Sequence, residues 1–450
     1  MSSRIKPSLA FLNSLSKIPL TEQSVDCLFS SKSFKTELLT QIKAAKYRIY
    51  LTALYLEADE AGTEILMALY AAKRENPDLN IVVCIDFHRA QRGLIGHKKS
   101  DGTNASWYQQ VEKSEALGIK IIGVPVKRRE LFGVQHLKGF IFDEQVLYSG
   151  ASFNNIYLHQ HERYRYDRYW LIKNVKLADS MVSFLNKEII NNSAVASLNG
   201  DVIPPMNELK VANKKLIRSL RIAKFEYHGE PSTDCLAVTP LSGLGIRNNN
   251  LNKTIRKLLQ CAEKQVIIFT PYFNLPTAIE RDISALLKRG VRLTIVVGDK
   301  TANDFYIPED KPYRTIGALP YLYETNLKRF AKKHQKRLAT KQLTLKLWRH
   351  EQNSFHLKGV YIDDRFMMLT GHNLNPRAWR LDVENGLLLD DPKQQLKPLI
   401  DKETSQIFAN TKDVLTPDQI EDISDYPSYV KKTLVRLRRI KVDKLVKRII

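Results

Sequence analysis

A histidine and a lysine two residues apart, with an aspartate five residues further on, occur twice in this chain of 450 residues. The first set is His136, Lys138 and Asp143 in VQHLKGFIFDEQVLYSGASFNN, and the second is His356, Lys358 and Asp363 in SFHLKGVYIDDRFMMLTGHNLN. The sets lie 220 residues apart, and other segments recur nearly in step: IVVCID, ending at Asp86, is answered by IVVGD, ending at Asp299. A pattern this long, present twice, constrains the chain to two similar units, so the repeat is architectural as well as chemical.

Each copy predicts a strand, because apolar and β-favouring residues fill the run and Asp-Glu or Asp-Asp closes it. Residues i and i+2 of extended chain share a face, so each histidine emerges beside its lysine. An imidazole can attack or carry a proton near neutral pH, and a lysine offers a positive charge for a phosphate. Asp143 and Asp363 stand an odd number of positions from their histidines, roughly 23 Å away along an extended strand. They read as turn or scaffold residues. The acids expected to orient the imidazoles are Asp167 in RYDRYWLI and Glu384 in LDVENGLLL, which hold corresponding places. Gly150 with Ser152 and Asn154, and Gly371 with Asn373 and Asn375, form loops after the two motifs. The polar side chains of those loops are expected at the phosphate. His88, Arg89 and Arg92 follow a predicted strand, where α/β proteins place ligand loops, and could meet a phosphate there.

Strands alternating with amphipathic helices argue for an α/β fold with a substantially parallel sheet. The expected division is a first unit over 1–200, a linker and helix over 201–234, a second unit over 235–410 and a tail over 411–450. The first linker carries the Pro-Pro of LNGDVIPPMN. Four cysteines, Cys27, Cys84, Cys235 and Cys261, show no C-x-x-C spacing, so neither a metal site nor a disulfide framework is expected. No apolar run reaches the ~18 residues of a membrane span or forms a signal core, which points to the cytoplasm.

A net charge of +22 attracts polyanions, and the two available classes are nucleic acid and an anionic leaflet. The tail bears on that choice. Lys431, Lys432, Arg436, Arg438, Arg439, Lys441, Lys444, Lys447 and Arg448 interleave with Val430, Leu434, Leu437, Val442, Leu445 and Ile449 at roughly helical spacing. That pattern predicts a basic amphipathic helix lying on a membrane surface.

The doubled H-x-K-x4-D pattern resembles the phospholipase D superfamily. The stretches LYLEADEAGTEILMALYAAKRENP, DFHRAQRGLIG, YSGASFNNIYLHQHERYRYDRYWLI, GDKTANDFYIPED and TGHNLNPRAWRLDVEN make most of the chain similar to one branch, the bacterial CDP-diacylglycerol–serine O-phosphatidyltransferases. The resemblance implies an α/β protein of two tandem phospholipase D-like α/β/α domains related by pseudo-twofold symmetry, with the basic helical tail appended. It implies CDP-diacylglycerol as phosphatidyl donor, L-serine as acceptor and CMP as leaving group. It also implies a phosphohistidine on His136, acid/base work by His356 and no cofactor. His88, Arg89 and Arg92 become candidate nucleotide or diphosphate contacts, and the expected location is the inner face of the cytoplasmic membrane, held peripherally. Other phospholipase D-type activities, a cardiolipin synthase-like transferase or a nuclease, are the competing readings; nucleic acid is not the expected substrate.

Overall fold

The computed structural model describes residues 6–92, 102–127, 129–231 and 234–439. Numbered along the chain, the strands of the first half are β1 (Ile18–Pro19), β2 (Val25–Leu28), β3 (Arg48–Thr52), β4 (Asn80–Asp86), β5 (Lys120–Val124), β6 (Gly139–Phe142), β7 (Gln145–Ser149), β8 (Arg165–Tyr166), β9 (Tyr169–Lys173) and β10 (Ala196–Ser197). The second half adds β11 (Ala237–Leu244), β12 (Gln265–Thr270), β13 (Arg292–Gly298), β14 (Leu343–Trp348), β15 (Ser354–Phe355), β16 (Gly359–Ile362), β17 (Phe366–Thr370), β18 (Val383–Asp390) and β19 (Thr411–Val414).

Two sheets have the same plan. One runs β10-β5-β4-β3-β6-β7-β9-β2, the other β19-β14-β13-β12-β16-β17-β18-β11 with β1 added beyond β11. Strand for strand the pairings agree: β3-β4-β5 and β12-β13-β14 are parallel, and the remaining neighbours are antiparallel. The sheets are therefore mixed, which corrects the expectation of a substantially parallel sheet. Short links such as Asp143–Glu144 can join only antiparallel neighbours, whereas helices carry the parallel crossovers.

Alternation along the strands sets the layers. In β3, Ile49 and Leu51 pack with the helices Ser31–Ala44 and Glu60–Glu75, while Tyr50 joins a core shared by both halves. In β17, Phe366 and Met368 pack with the helices Asn250–Cys261 and Thr277–Lys288, while Met367 and Leu369 enter the shared core. Helices Val175–Phe184 and Lys397–Ala409 also contribute to that inner core, so each sheet lies between helices, and the inner layers of the two halves merge.

Two boundaries differ from the sequence reading. Helix Pro7–Asn13 packs on Asn250–Cys261, and β1 pairs with β11, so the N-terminal segment belongs to the second sheet rather than to a 1–200 unit. Buried Leu12 and Ile18, together with the buried Lys17–Asp390 ion pair (2.7 Å), fix it there. At the other end β19 closes the second sheet on β14, so the tail begins after residue 414 rather than at 411. Helix Ser428–Arg439 then packs Val430 and Leu434 against Ala318, Tyr321 and Tyr426. The described part of the apolar stripe expected in a membrane is therefore buried inside the protein, because the Tyr-rich surface beside Leu319–Lys333 gives it an apolar partner. Among the described residues no helix is long and apolar enough to cross a membrane.

Candidate active site

Each motif histidine lies in a short extended segment ahead of a strand, not within the strand expected to begin at Val134. Gly139 (φ +126°) and Gly359 (φ +145°) turn the chain into β6 and β16 just after the lysines. A Cβ at Gly359 would stand 2.3 Å from an Arg168 nitrogen and 2.7 Å from the Met368 carbonyl oxygen, so both the angle and the space demand glycine.

Freed from their own sheets, these segments pair with the opposite half. The His136 N–H donates to the Val383 carbonyl (2.9 Å), and the His356 N–H donates to the Tyr166 carbonyl (2.8 Å); β15 runs parallel to β8. The exchange brings Glu384 to His136 and Asp167 to His356. His136 Nδ1 is 3.0 Å from each Glu384 oxygen, and His356 Nδ1 is 2.8 Å from Asp167 Oδ2. Lys358 Nζ donates to Asp167 Oδ2 at 3.1 Å and touches His356 Nδ1. Lys138 Nζ instead donates to the Ala151 carbonyl (3.2 Å) and Ser152 Oγ (3.4 Å). All six side chains are buried.

The glycines after the motifs leave room for this crossing. A Cβ at Gly150 would lie 2.8 Å from both Asp167 oxygens and 3.0 Å from Lys358 Nζ; one at Gly371 would lie 2.8 Å from Lys138 Cγ and 3.6 Å from His136 Cε1. Each loop thus abuts a lysine contributed by the other half, and the charges of Lys358 and His356 act on His136.

Burial dominates the electrostatics. It holds His136 well below the usual imidazole range, with Lys138 adding to the effect, and with Lys358 it holds His356 down at about 4. Burial would raise Asp167, but Lys358 and His356 outweigh it and keep the carboxyl at about 2. Glu384, buried beside Asp382 and bonded to no lysine, is pushed well above the carboxylate range. Lys138 is lowered to about 7 by burial and by the Lys358 charge.

The remaining expected residues divide by neighbourhood. The Asp143 carboxylate accepts from the N–H groups of Lys46, Tyr47 and Arg48 (2.8, 3.0 and 3.0 Å), and Asp363 accepts likewise from Glu263, Lys264 and Gln265. Both aspartates therefore tie the hairpin turn to the start of the neighbouring strand. Asn154 Oδ1 accepts from Tyr157 N–H and Asn375 Oδ1 from Ala378 N–H, each three residues on, so Asn375 is the counterpart of Asn154. Asn154 also donates to Glu57 (2.9 Å). Asn373 falls opposite Ser152, and its buried Oδ1 has no hydrogen-bond partner among the described residues. Arg89 and Arg92 both face Glu130 (2.7 and 3.4 Å), and His88 Nε2 lies 2.7 Å from the Lys127 carbonyl. A phosphate at those arginines would share them with Glu130. In the tail, Lys431 Nζ donates to the Ser424 carbonyl (3.0 Å), Lys432 and Arg436 are exposed, and Arg438 and Arg439 lie in the helix. Lys441, Lys444, Lys447 and Arg448 lie outside the described residues.

Sequence reasoning missed several side chains around the imidazoles. The Tyr157 hydroxyl is 2.9 Å from His356 Nδ1, and the Tyr272 ring packs edgewise on His356 (6.1 Å between centroids). Asn385 exchanges hydrogen bonds with the Lys138 backbone, both at 2.8 Å. The signal for Asn385 was its place beside Glu384; Tyr272 stands in TPYFNLP, a stretch that resembles the family but whose spacing points to no chemistry.

Two imidazoles, each held by a carboxylate from the other half and flanked by a buried lysine, define a phospholipase D-like protein. Residues 255–408 match the family model described as "Cardiolipin synthase, PLD-like domain". The chain is 48% identical to the CDP-diacylglycerol–serine O-phosphatidyltransferase of Escherichia coli strain K12, over 98% of this chain and 97% of the relative. It is equally similar, at 48% over the same shares, to the enzyme of that name from Haemophilus influenzae. The crystal structure of phosphatidylserine synthase from Haemophilus influenzae superposes with a TM-score of 0.95 at 46% identity, covering 98% of this chain and 99% of that one. The chain belongs to the family of CDP-diacylglycerol–serine O-phosphatidyltransferases.

Proposed function

We propose that the protein transfers the phosphatidyl group of CDP-diacylglycerol to L-serine, giving phosphatidylserine and CMP through a phosphohistidine. The observation that carries this reading is the crossed pairing of His136 with Glu384 and His356 with Asp167, which joins two half-sites into one. With the Nδ1 proton of His136 turned to an ionised Glu384, Nε2 presents its lone pair to the phosphorus. The P–N bond forms, the P–O bond to CMP breaks, and its electron pair stays on the CMP oxygen. Lys138 and Lys358 face the charge on the phosphoryl oxygens.

In the second step the serine hydroxyl attacks, the P–N bond breaks, and the hydroxyl proton passes to His356 Nε2 before release to solvent. A ring held neutral down to about 4 is available as that base, and anionic Asp167 stabilises the imidazolium it becomes. Incubation with CDP-diacylglycerol in mixed micelles tests the reading: serine-dependent phosphatidylserine with equimolar CMP is expected. Absence of both products, or cleavage of DNA instead, would overturn it.

The acyl chains of the donor require access to a lipid surface, and peripheral association with an anionic leaflet is part of the proposal. Its supports are the net charge of +22, exposed Lys432 and Arg436 on the tail helix, and Leu131 and Phe132, exposed by 52% and 47% just ahead of the first motif. Replacing Leu131 and Phe132 by serine should weaken flotation with anionic liposomes; flotation equal to the parent's would remove that surface from the account.

A further inference from the structure

Beside His356 lies a cluster of polar side chains arranged differently from the one at His136. Arg165, on β8, and Asp304, after β13, approach to 2.8 Å between Nε and Oδ1, with side-chain exposures of 14% and 10%. Neither of those atoms makes a well-aligned hydrogen bond, to the other or elsewhere among the described residues, and the Ser354 hydroxyl also acts on the Asp304 carboxylate. They are paired in charge, with hydrogen-bonding capacity unspent. Asp304 Oδ2 accepts from the Tyr272 hydroxyl (2.7 Å), Arg165 Nη1 donates to the Tyr55 hydroxyl (3.3 Å), and the guanidinium lies 4.5 Å from the Tyr157 ring centre. Tyr157 and Tyr272 are the same two rings that touch His356. A cation and an anion, each only slightly exposed, therefore lie side by side, one ring away from the imidazole. At the other half-site the residue two places before the acid is Asp382, whose oxygens are taken by Arg377 (3.0 Å) and the Val134 N–H (2.9 Å).

Burying two charges costs several kcal/mol per ion unless the surroundings restore their hydrogen bonds. A misaligned pair does not restore them, whereas a zwitterion laid antiparallel to it does. We propose that Arg165 and Asp304 bind the acceptor amino acid, Arg165 taking its carboxylate and Asp304 its ammonium, so that its hydroxyl is delivered to His356. The assignment rests on the phosphatidyl-transfer reading above. It also gives the site a way to favour serine over alcohols that lack either charge, because such alcohols leave a buried ion unanswered.

The test compares acceptors within one enzyme, so that overall losses cancel. Ethanolamine is serine without the carboxylate, and glycerate is serine with a hydroxyl in place of the ammonium. For the full-length parent and for Arg165→Gln and Asp304→Asn, kcat/KM is measured with L-serine, ethanolamine and glycerate against CDP-diacylglycerol. Arg165→Gln should lower the serine-to-ethanolamine ratio at least tenfold, and Asp304→Asn should lower the serine-to-glycerate ratio at least tenfold. Arg165→Lys should recover part of the first ratio, and Tyr272→Phe should move the second in the same direction as Asp304→Asn. Ratios equal to the parent's, with only the absolute rate reduced, would overturn the assignment. So would inactive Gln and Asn variants accompanied by parental ratios in Arg165→Lys and Tyr272→Phe. A parent that makes no phosphatidylserine contradicts the transfer reading itself, a result distinct from any change in ratio.

Discussion

The two half-sites share their spacing and differ in where the lysine goes. At His356 the lysine is bound to the orienting carboxylate, so Asp167 stays ionised at the centre of a three-way contact with Lys358 and His356. At His136 the lysine turns away to Ala151 and Ser152, Glu384 touches the ring alone, and burial favours the protonated carboxyl. One repeat thus holds a bare base beside a fixed anion, and the other holds a ring and an acid that keep a proton between them. Identical motifs do not make identical half-sites, because a buried carboxyl's state follows from the cation it reaches. On this account the His356 half handles the acceptor's proton, and the His136 half forms the bond to phosphorus once its pair has lost one.

The largest effect should come from erasing either ring. His136→Ala and His356→Ala are each expected to lower phosphatidylserine formation by at least about 10⁴-fold, since groups acting as a unit fail together. Appreciable turnover in both would break the pairing. Next, Asp167→Asn should cost about 10³-fold and Glu384→Gln only about 10- to 100-fold, because Asp167 anchors a ring and a lysine whereas Glu384 anchors a ring. Steady-state kinetics giving equal losses would erase the asymmetry.

The pH profile sharpens the comparison. Lys138, lowered to about 7, loses its charge as pH rises, so kcat/KM for CDP-diacylglycerol should fall above about pH 7. The Glu384–His136 pair must shed a proton to attack, and with Glu384 raised this produces a rise in kcat/KM with increasing pH on the acid side. Glu384→Gln should abolish that acid limb, and Asp167→Asn should leave it in place. The smallest effect concerns the tail: Leu434→Ala removes part of the packing on Tyr321 and Tyr426 and should cost about 2 kcal/mol in denaturant unfolding, with active-site ratios unchanged.

Much of this was legible in the sequence because it repeats. His136, Lys138, His356 and Lys358 announce themselves by spacing, and Asp167 and Glu384 by their matching places before apolar runs. Legibility ended where one half departs from the other. Tyr272, Asp304 and Arg165 meet only because β8 lies beside β15, a contact between segments 189 residues apart that no local pattern encodes. The attachment of β1 to the second sheet was invisible for the same reason, since a two-residue strand has no period of its own. The tail misled in another way. An amphipathic stripe reports that an apolar surface will be covered, and here Tyr321 and Tyr426 cover its described part where a membrane was expected. Alignment of Asn154 with Asn375 rather than Asn373 needed the capping bonds, because the hairpin turn before β17 (363–365) is one residue longer than the turn before β7 (143–144) and shifts the loop by one from the motif offset.

The central claim is that two displacements occur at one phosphorus, the first by an imidazole of one half and the second by serine with the imidazole of the other as base. Each in-line displacement inverts configuration, so transfer from CDP-diacylglycerol chirally labelled at the phosphatidyl phosphorus should give phosphatidylserine with configuration retained. Inversion would mean that serine attacks the donor directly, and it would contradict the account.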